Sequence, residues 1–314
     1  MTVNQHLTTF HGMNVVAFPE ETTEAWRPPA EPVAWRLAIE PWDGDETFPE
    51  LWDRFLSTVD PSTVTAVVIG QWAEPGDDIR SNTVIERILG ARDKMPALTG
   101  IFLGDMISEE NEISWIEQSD VTPLLENLPA LTELGIRGGD GLVLKPVRHN
   151  NLRTLIIETG GLPREVVSGV AQSDFPALQE LRLWLGVDEY GGNWRPEDLE
   201  PLLAGDKVPS LRELGLQNSD RQDKVCELVA GSAIVRQLTT LDLSMGVLTD
   251  KGGEHLLSLT HLTNLDLTHH YLSKEMRKQI LQALPPAGVR VILDDAQEPD
   301  HYDGEPYYYT AVAE

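Results

Sequence analysis

Cysteine, positive charge and long apolar runs are scarce in this sequence. Its 314 residues include one cysteine, Cys226, which rules out a disulfide within the chain and suits a reducing compartment. Lys and Arg number 24 against 51 Asp and Glu, a formal charge of −27. Contact with nucleic-acid phosphate or anionic lipid needs clustered basic residues, so neither partner is expected. No apolar run approaches the roughly 18–20 residues of a membrane span. The densest short runs are Ala66–Ile69 and 101–103. The first ten residues lack a basic segment followed by an apolar one, so no secretion signal is read there and the expected location is cytoplasmic. Familiar catalytic signatures are missing as well. There is no glycine loop ending in Gly-Lys-Ser or Gly-Lys-Thr, no HExxH, no GxSxG and no cysteine pair for zinc. No catalysis, cofactor or resident metal is therefore expected.

What is present is a repeat. Leu262-Thr-Asn-Leu265-Asp-Leu267 reads LxxLxL, and the same string starts at Leu238, Leu211 and Leu178. Leu152, Leu131 and Leu98 start copies with Ile at one or more positions; Val64 starts a weaker one, and Ala34 and Gly288 start degenerate ones. The ten starts are spaced by 30, 34, 33, 21, 26, 33, 27, 24 and 26 residues, periods that mark a stacked repeat array. Between the strings, segments 48–59, 82–94, 123–128, 165–173, 196–204, 223–233, 253–259 and 274–284 carry apolar residues at helical spacing. In the last, Ser273 is placed to cap the start, and Pro285-Pro286 to stop the end. The 21-residue repeat has room only for a loop, 142–149, on its outer side.

These strings resemble leucine-rich repeats, and the long helix-bearing spacing resembles the ribonuclease-inhibitor type, in a bacterial cytoplasmic setting. The stretch Leu248-Thr-Asp-Lys-Gly-Gly-Glu-His-Leu256-Leu257 is the closest to that subfamily's strand-to-helix turn. The resemblance implies an α/β fold: a right-handed solenoid, horseshoe or arc, with a parallel concave sheet and convex helices. Residues 34–294 would form about ten repeats, 1–33 an N-terminal hairpin cap with connector, and 295–314 an acidic, Tyr-rich tail or cap. The hairpin is expected from segments 7–10 and 15–18 around a turn at 11–14. The tail is open to two readings, a disordered segment or a last edge strand. The family's usual Asn or Cys eight residues after the first Leu is replaced here by Gly139, Gly160, Gly186, Ser219, Gly246 and His270. The ladder of side-chain hydrogen bonds in those turns is therefore expected to be missing.

Strand alternation assigns the outward residues. The middle outward column reads Ala38, Val68, Phe102, Gly135, Ile156, Arg182, Gly215, Asp242, Asp266 and Ile292. The next column contains Arg137, Glu158, Trp184, Gln217 and Ser244, and the one before the middle contains Glu133, Glu180 and Glu213. Two clusters follow as a candidate partner-binding surface. The central one joins Phe102, Ile156 and Trp184 with Arg137, Arg182, Glu158 and Glu180, a mixture of aromatic and Arg that interface hot spots favour. The alternative there is a salt-bridged surface with Trp184 covered by loop 187–198. The second cluster is Asp242 beside Asp266, with Asp294, Asp295, His269 and His270 near. The implied function is a non-catalytic protein-protein scaffold whose partner is a protein or peptide with a basic patch. The rival reading is a small-molecule or divalent-metal-dependent site at Asp242, Asp266 and His270. Trp42 and Trp72 sit just past the first two strands, either packed in their turns or poised for a ligand. Gly138-Gly139-Asp140-Gly141 reads as a turn, and Cys226 as a buried structural thiol.

Overall fold

The computed structural model describes residues 3–22, 26–40, 44 and 46–314. Trp42 lies outside them. Among the described residues the strands form one twelve-stranded sheet in sequence order and a separate two-stranded one. The chain starts with a hairpin of β1 (Thr9–Phe10) and β2 (Met13–Ala17). Its turn is shorter than the sequence suggests: only His11 and Gly12, at φ 53° and 69°, a left-handed pair that suits a tight hairpin. From β2 onward every pairing in the large sheet is parallel.

Each repeat then contributes one strand and an outer segment. β3 (Ala34–Leu37) precedes α1 (Phe48–Thr58), and β4 (Ala66–Ile69) precedes α2 (Asn82–Ala91). β5 (Gly100–Leu103) precedes α3 (Thr122–Asn127), whereas β6 (Glu133–Arg137) is followed by a loop. β7 (Thr154–Glu158), β8 (Glu180–Gly186), β9 (Glu213–Ser219), β10 (Thr240–Asp242) and β11 (Asn264–Asp266) lead respectively into α4 (Arg164–Gln172), α5 (Pro196–Leu203), α6 (Gln222–Ala230), α7 (Asp250–Leu256) and α8 (Lys274–Ala283). β12 (Arg290–Ile292) ends the large sheet, and β13 (Asp300–Tyr302) with β14 (Glu305–Tyr307) forms the small antiparallel one.

Local chemistry explains the helix ends. Ser273 accepts a hydrogen bond from the Met276 N–H, 3.1 Å, and α8 stops at the two prolines. At α1 the Glu50 carboxylate accepts from the Thr47 N–H and hydroxyl, at 2.9 and 2.7 Å. The inward Leu and Ile of the repeat strings, such as Leu241, Leu243, Leu265 and Leu267, are fully buried and form one continuous core with the apolar helix faces. Each repeat buries its apolar row only against its neighbours, so the core runs the length of the stack.

The register of β4 through β12 follows the sequence columns: Val68 pairs with Phe102, Phe102 with Gly135, Ile156 with Arg182, Gly215 with Asp242, and Asp242 with Asp266. The first repeat differs. Arg36, not Ala38, pairs with Val68, a slip of two residues. A two-residue slip keeps every side chain on its own face, so alternation alone cannot detect it. The turns also depart from expectation. His270 Nδ1 accepts from the Leu272 N–H at 3.2 Å, and Nε2 faces the Leu293 carbonyl at 3.4 Å. Ser219 Oγ accepts from the Arg221 N–H at 3.1 Å. Side chains thus still satisfy backbone groups in at least two of those turns. Cys226 is buried and its thiol is pushed well up by desolvation, which leaves it un-ionised. Trp72 is packed in its turn, with its indole N–H on the Ile79 carbonyl at 3.1 Å.

Candidate functional site

The face of the sheet away from the helical core falls into two halves. Over β3 to β5 it is covered. Phe10, brought in by the first hairpin, packs edge-on against Phe102 at 5.9 Å, and Ala34, Ala66 and Val68 complete a second small core on this side. Gly135 leaves room for the Phe102 ring; a Cβ there would run into it. His11 bonds Glu133 Oε2 and Thr99 Oγ1 at 2.8 and 2.9 Å, which pins the hairpin tip to the sheet. Beside the plug is a knot of buried charge. Asp105 receives Arg36 Nε at 2.9 Å and the Leu7 N–H at 3.0 Å. Arg137 donates to Glu158 Oε2 and to the Met106 carbonyl, both at 2.8 Å, lies 3.5 Å from Asp105, and its guanidinium carbon sits 5.5 Å from the Phe102 ring centre.

This corrects part of the predicted site. Phe102 is 2% exposed and Arg137 3%, so neither can meet a partner; both hold the N-terminal plug. Glu158 is the carboxylate that neutralises Arg137. Ile156 is half-buried on β7. Trp184 is half-buried too, but not beneath loop 187–198: it packs against the small cluster of Ile113, Ala311 and Val312. Trp194 of that loop is instead fully buried under the Arg221 guanidinium, 4.6 Å from its ring centre.

The cover over Trp184 is the end of the chain. Residues 309–314 lie along the turns that follow the strands. The Tyr309 carbonyl accepts from His269 Nε2 and the Tyr271 hydroxyl, both at 3.0 Å. The Ala311 N–H reaches the Met245 carbonyl at 2.8 Å. Asn218 holds Val312 on both sides, accepting its N–H at 3.0 Å and donating to its carbonyl at 2.6 Å. Ser114 takes the Ala313 carbonyl, and the Tyr190 hydroxyl bonds Glu314. Neither of the two readings of the tail, disorder or an added edge strand, describes this strap.

Over β8 to β12 the sheet is open. A depression of about 340 Å³ is lined by Arg182, Glu213, Gly215, Thr240, Asp242, Asn264, Asp266 and Arg290, among others. Arg182 is exposed and paired to Glu180 at 2.7 Å. Burial pushes the Glu180 carboxyl above its ordinary range, against the pull of Arg182. Burial also raises Asp242, opposed by hydrogen bonds from Ser244 and reinforced by the Asp266 charge abreast of it. The Ser244 N–H is 3.1 Å from Asp242 Oδ1, and Thr268 donates its N–H and hydroxyl to Asp266 Oδ1 at 2.8 and 2.6 Å. The structure does not bring His269 or His270 to this pair. His270 is buried in its own turn, and His269 is turned toward Tyr309 and Asp295. Among the described residues no group of three or more His, Cys, Asp or Glu is arranged to hold a metal ion.

Of the predicted residues, Arg182, Asp242 and Asp266 therefore gather at one open depression, with Glu180 paired to Arg182 beside it, while Phe102, Arg137 and Glu158 belong to the plug. Sequence reasoning missed Gly215 as a shaper of that depression. The signal was in the middle column, where Gly215 stands between Arg182 and Asp242.

A parallel sheet in strict chain order, one strand per repeat and leucines turned into a shared core define an α/β repeat protein with a leucine-rich-repeat-like fold. A solved protein from Bacteroides fragilis is 34% identical, over 83% of this chain and 72% of its own length, with a TM-score of 0.74, and the chain belongs to the same family as that protein. An internalin from Listeria monocytogenes aligns over 76% of this chain and 69% of its own length at 15% identity and a TM-score of 0.32. No family model matches the chain, and no curated protein does. Among the described residues no helix is long and apolar enough to cross a membrane.

Proposed function

We propose that the chain is a non-catalytic interaction scaffold, a right-handed leucine-rich-repeat arc of the ribonuclease-inhibitor kind working in a bacterial cytoplasm. Its partner is a protein or peptide with a basic patch, received on the concave face over β8 to β12. The observation that supports this is the split of that face: one half is plugged by the chain itself, and the other presents Asp242 and Asp266, which have no ion-pair partner among the described residues, in an open depression. A chain of charge −27 attracts a basic partner from a distance and speeds its encounter. Fold alone does not set function, so the test addresses the surface. Partners are captured on the wild-type chain, then on Asp266→Lys and on Glu254→Lys, an exposed control on α7. Asp266→Lys should reduce retention of a specific partner tenfold or more, while Glu254→Lys leaves it intact. Equal losses, or none in either variant, would place the interface elsewhere.

A further inference from the structure

We propose that the row of turns beneath residues 309–314 is a binding groove for an extended peptide segment of a partner, one that reads small, β-branched, small, and that the chain's own strap closes it in cis. This goes beyond the acidic docking face and stands or falls without it.

The strap is held as an extended ligand is held, mostly through its main chain. The Tyr309 N–H donates to the Tyr271 hydroxyl at 2.9 Å, and that hydroxyl returns a bond to the Tyr309 carbonyl. The Ala311 N–H goes to Met245, and both backbone groups of Val312 go to Asn218. In this mode main-chain bonds supply affinity, and pockets for particular side chains supply the choice. The side chains chosen here are small. Ala311 and Val312 are 4% and 3% exposed and pack with Ile113. Gly160 has no Cβ where one would collide with the Ala313 carbonyl.

The residues that grip the strap repeat one position. Asn218, Met245 and His269 each stand seven places after the first Leu of their repeat, Leu211, Leu238 and Leu262. Each has a left-handed backbone, at φ 56°, 70° and 61°. Non-glycine residues seldom adopt it, methionine less readily than asparagine or histidine, and such strain gathers at ligand clamps. Glycine would relieve the strain, but it would remove the Asn218 and His269 side chains that take the strap.

The groove is longer than the strap. Ser114 and Tyr190, which bond Ala313 and Glu314, also border a depression of about 410 Å³, together with Gly139, Gly161 and Trp115. Trp115 is 62% exposed, the most exposed tryptophan among the described residues. Glycines let a ligand backbone approach closely, and an exposed indole beside them is a docking surface for proline. A segment that follows the strap's path and continues past the position of Glu314 gains this additional contact. It needs one, because a tethered strap competes at high effective concentration. The strap joins the stack through β13 and β14, whose residues are all exposed, so it lifts without opening the repeat core and uncovers Trp184.

The test uses a fluorescent peptide of residues 307–314, capped at both ends, and a second that carries Gly-Pro-Pro after the glutamate. Anisotropy reads their binding to the wild-type chain and to full-length Val312→Asp, whose own strap cannot bury a charge and so does not seat. Val312→Asp should bind the short peptide saturably, about tenfold or more tighter than wild type does. The longer peptide should bind about threefold or more tighter still, and Trp115→Ala in the same background should erase that gain. A second route covers a Val312→Asp chain that does not fold. A protease site inserted at the exposed Asp303-Gly304 turn is cut after folding, and the severed strap should exchange with labelled peptide. No binding to folded Val312→Asp up to about 1 mM, equal binding by wild type, a longer peptide without a Trp115-dependent gain, or a severed strap that does not exchange within about a day would each overturn the proposal.

Discussion

In β4 and β5 both faces of the sheet are packed, whereas in β10 and β11 only one is. The contrast is written residue by residue: Ala66-Val67-Val68-Ile69 and Gly100-Ile101-Phe102-Leu103 are buried throughout, while Thr240-Leu241-Asp242 and Asn264-Leu265-Asp266 alternate between buried and half-exposed. A parallel strand covered on both sides reads as a continuous apolar run, and one covered on one side alternates. The same repeat geometry thus serves two purposes in one molecule. Near the start it holds the chain's own hairpin; toward the end it leaves charged side chains facing solvent.

The comparison breaks most visibly at the plug. Phe102→Ala should destabilise the fold by about 3–4 kcal/mol, because a buried ring packed against Phe10 is lost and a cavity remains. Chemical denaturation measures this; a loss under about 1 kcal/mol would mean that the hairpin does not pack the N-terminal half. Next in size is the strap. Asn218 sits at φ 56°, so Asn218→Gly keeps the backbone unstrained while it removes the two bonds to Val312 and the longer one, 3.3 Å, to the Thr159 carbonyl. Stability should fall by about 1–2 kcal/mol, and amide exchange at Ala311 and Val312 should accelerate while that of the β4 and β5 strands holds.

The smallest expected effect belongs to the open half. Burial raises the Asp242 carboxyl above its unfolded value, so the folded chain binds that proton more tightly than the unfolded one. Its ionisation therefore weakens the fold as pH rises through the raised value, and the weakening is absent below the unfolded value. Asp242→Asn should be more stable than wild type near neutral pH, by under about 1 kcal/mol, and should lose that advantage on acidification toward about pH 4. Denaturation curves at the two pH values decide it. A variant less stable at neutral pH would show that Asp242 contributes through its hydrogen bonds more than it loses through its charge.

Much of this architecture is legible in the amino-acid pattern. Leu241 and Leu265 mark the inward row, Asp242 and Asp266 the outward one, and the eight helices among the described residues lie within a few residues of their apolar periods. Periodicity is a local property, and what it misses is what distant segments do. The Leu7 N–H meets Asp105 from 98 positions away, and Asn218 meets Val312 across 94. No spacing rule connects either pair, so Phe102 and Trp184 read as exposed when other segments cover them. The buried runs at Val68 and Phe102 did carry a hint, since a strand exposed on one side has little reason to be apolar on both. The two-residue slip at Arg36 was hidden for the opposite reason: the pattern is indifferent to it.

The strap has a consequence for how the molecule comes apart. A stack whose units touch only their neighbours can fray from an end, one repeat at a time. Here one extended segment bonds in turn to His269, Met245 and Asn218 and then reaches Ser114, far back along the chain. Repeats that share no direct contact are thereby tied in parallel as well as in series. The terminal repeats cannot open without releasing a clasp that is also anchored near the middle, so their unfolding is linked to that of the centre. The array behaves less like a zipper and more like a closed ring, losing its last repeats together or not at all.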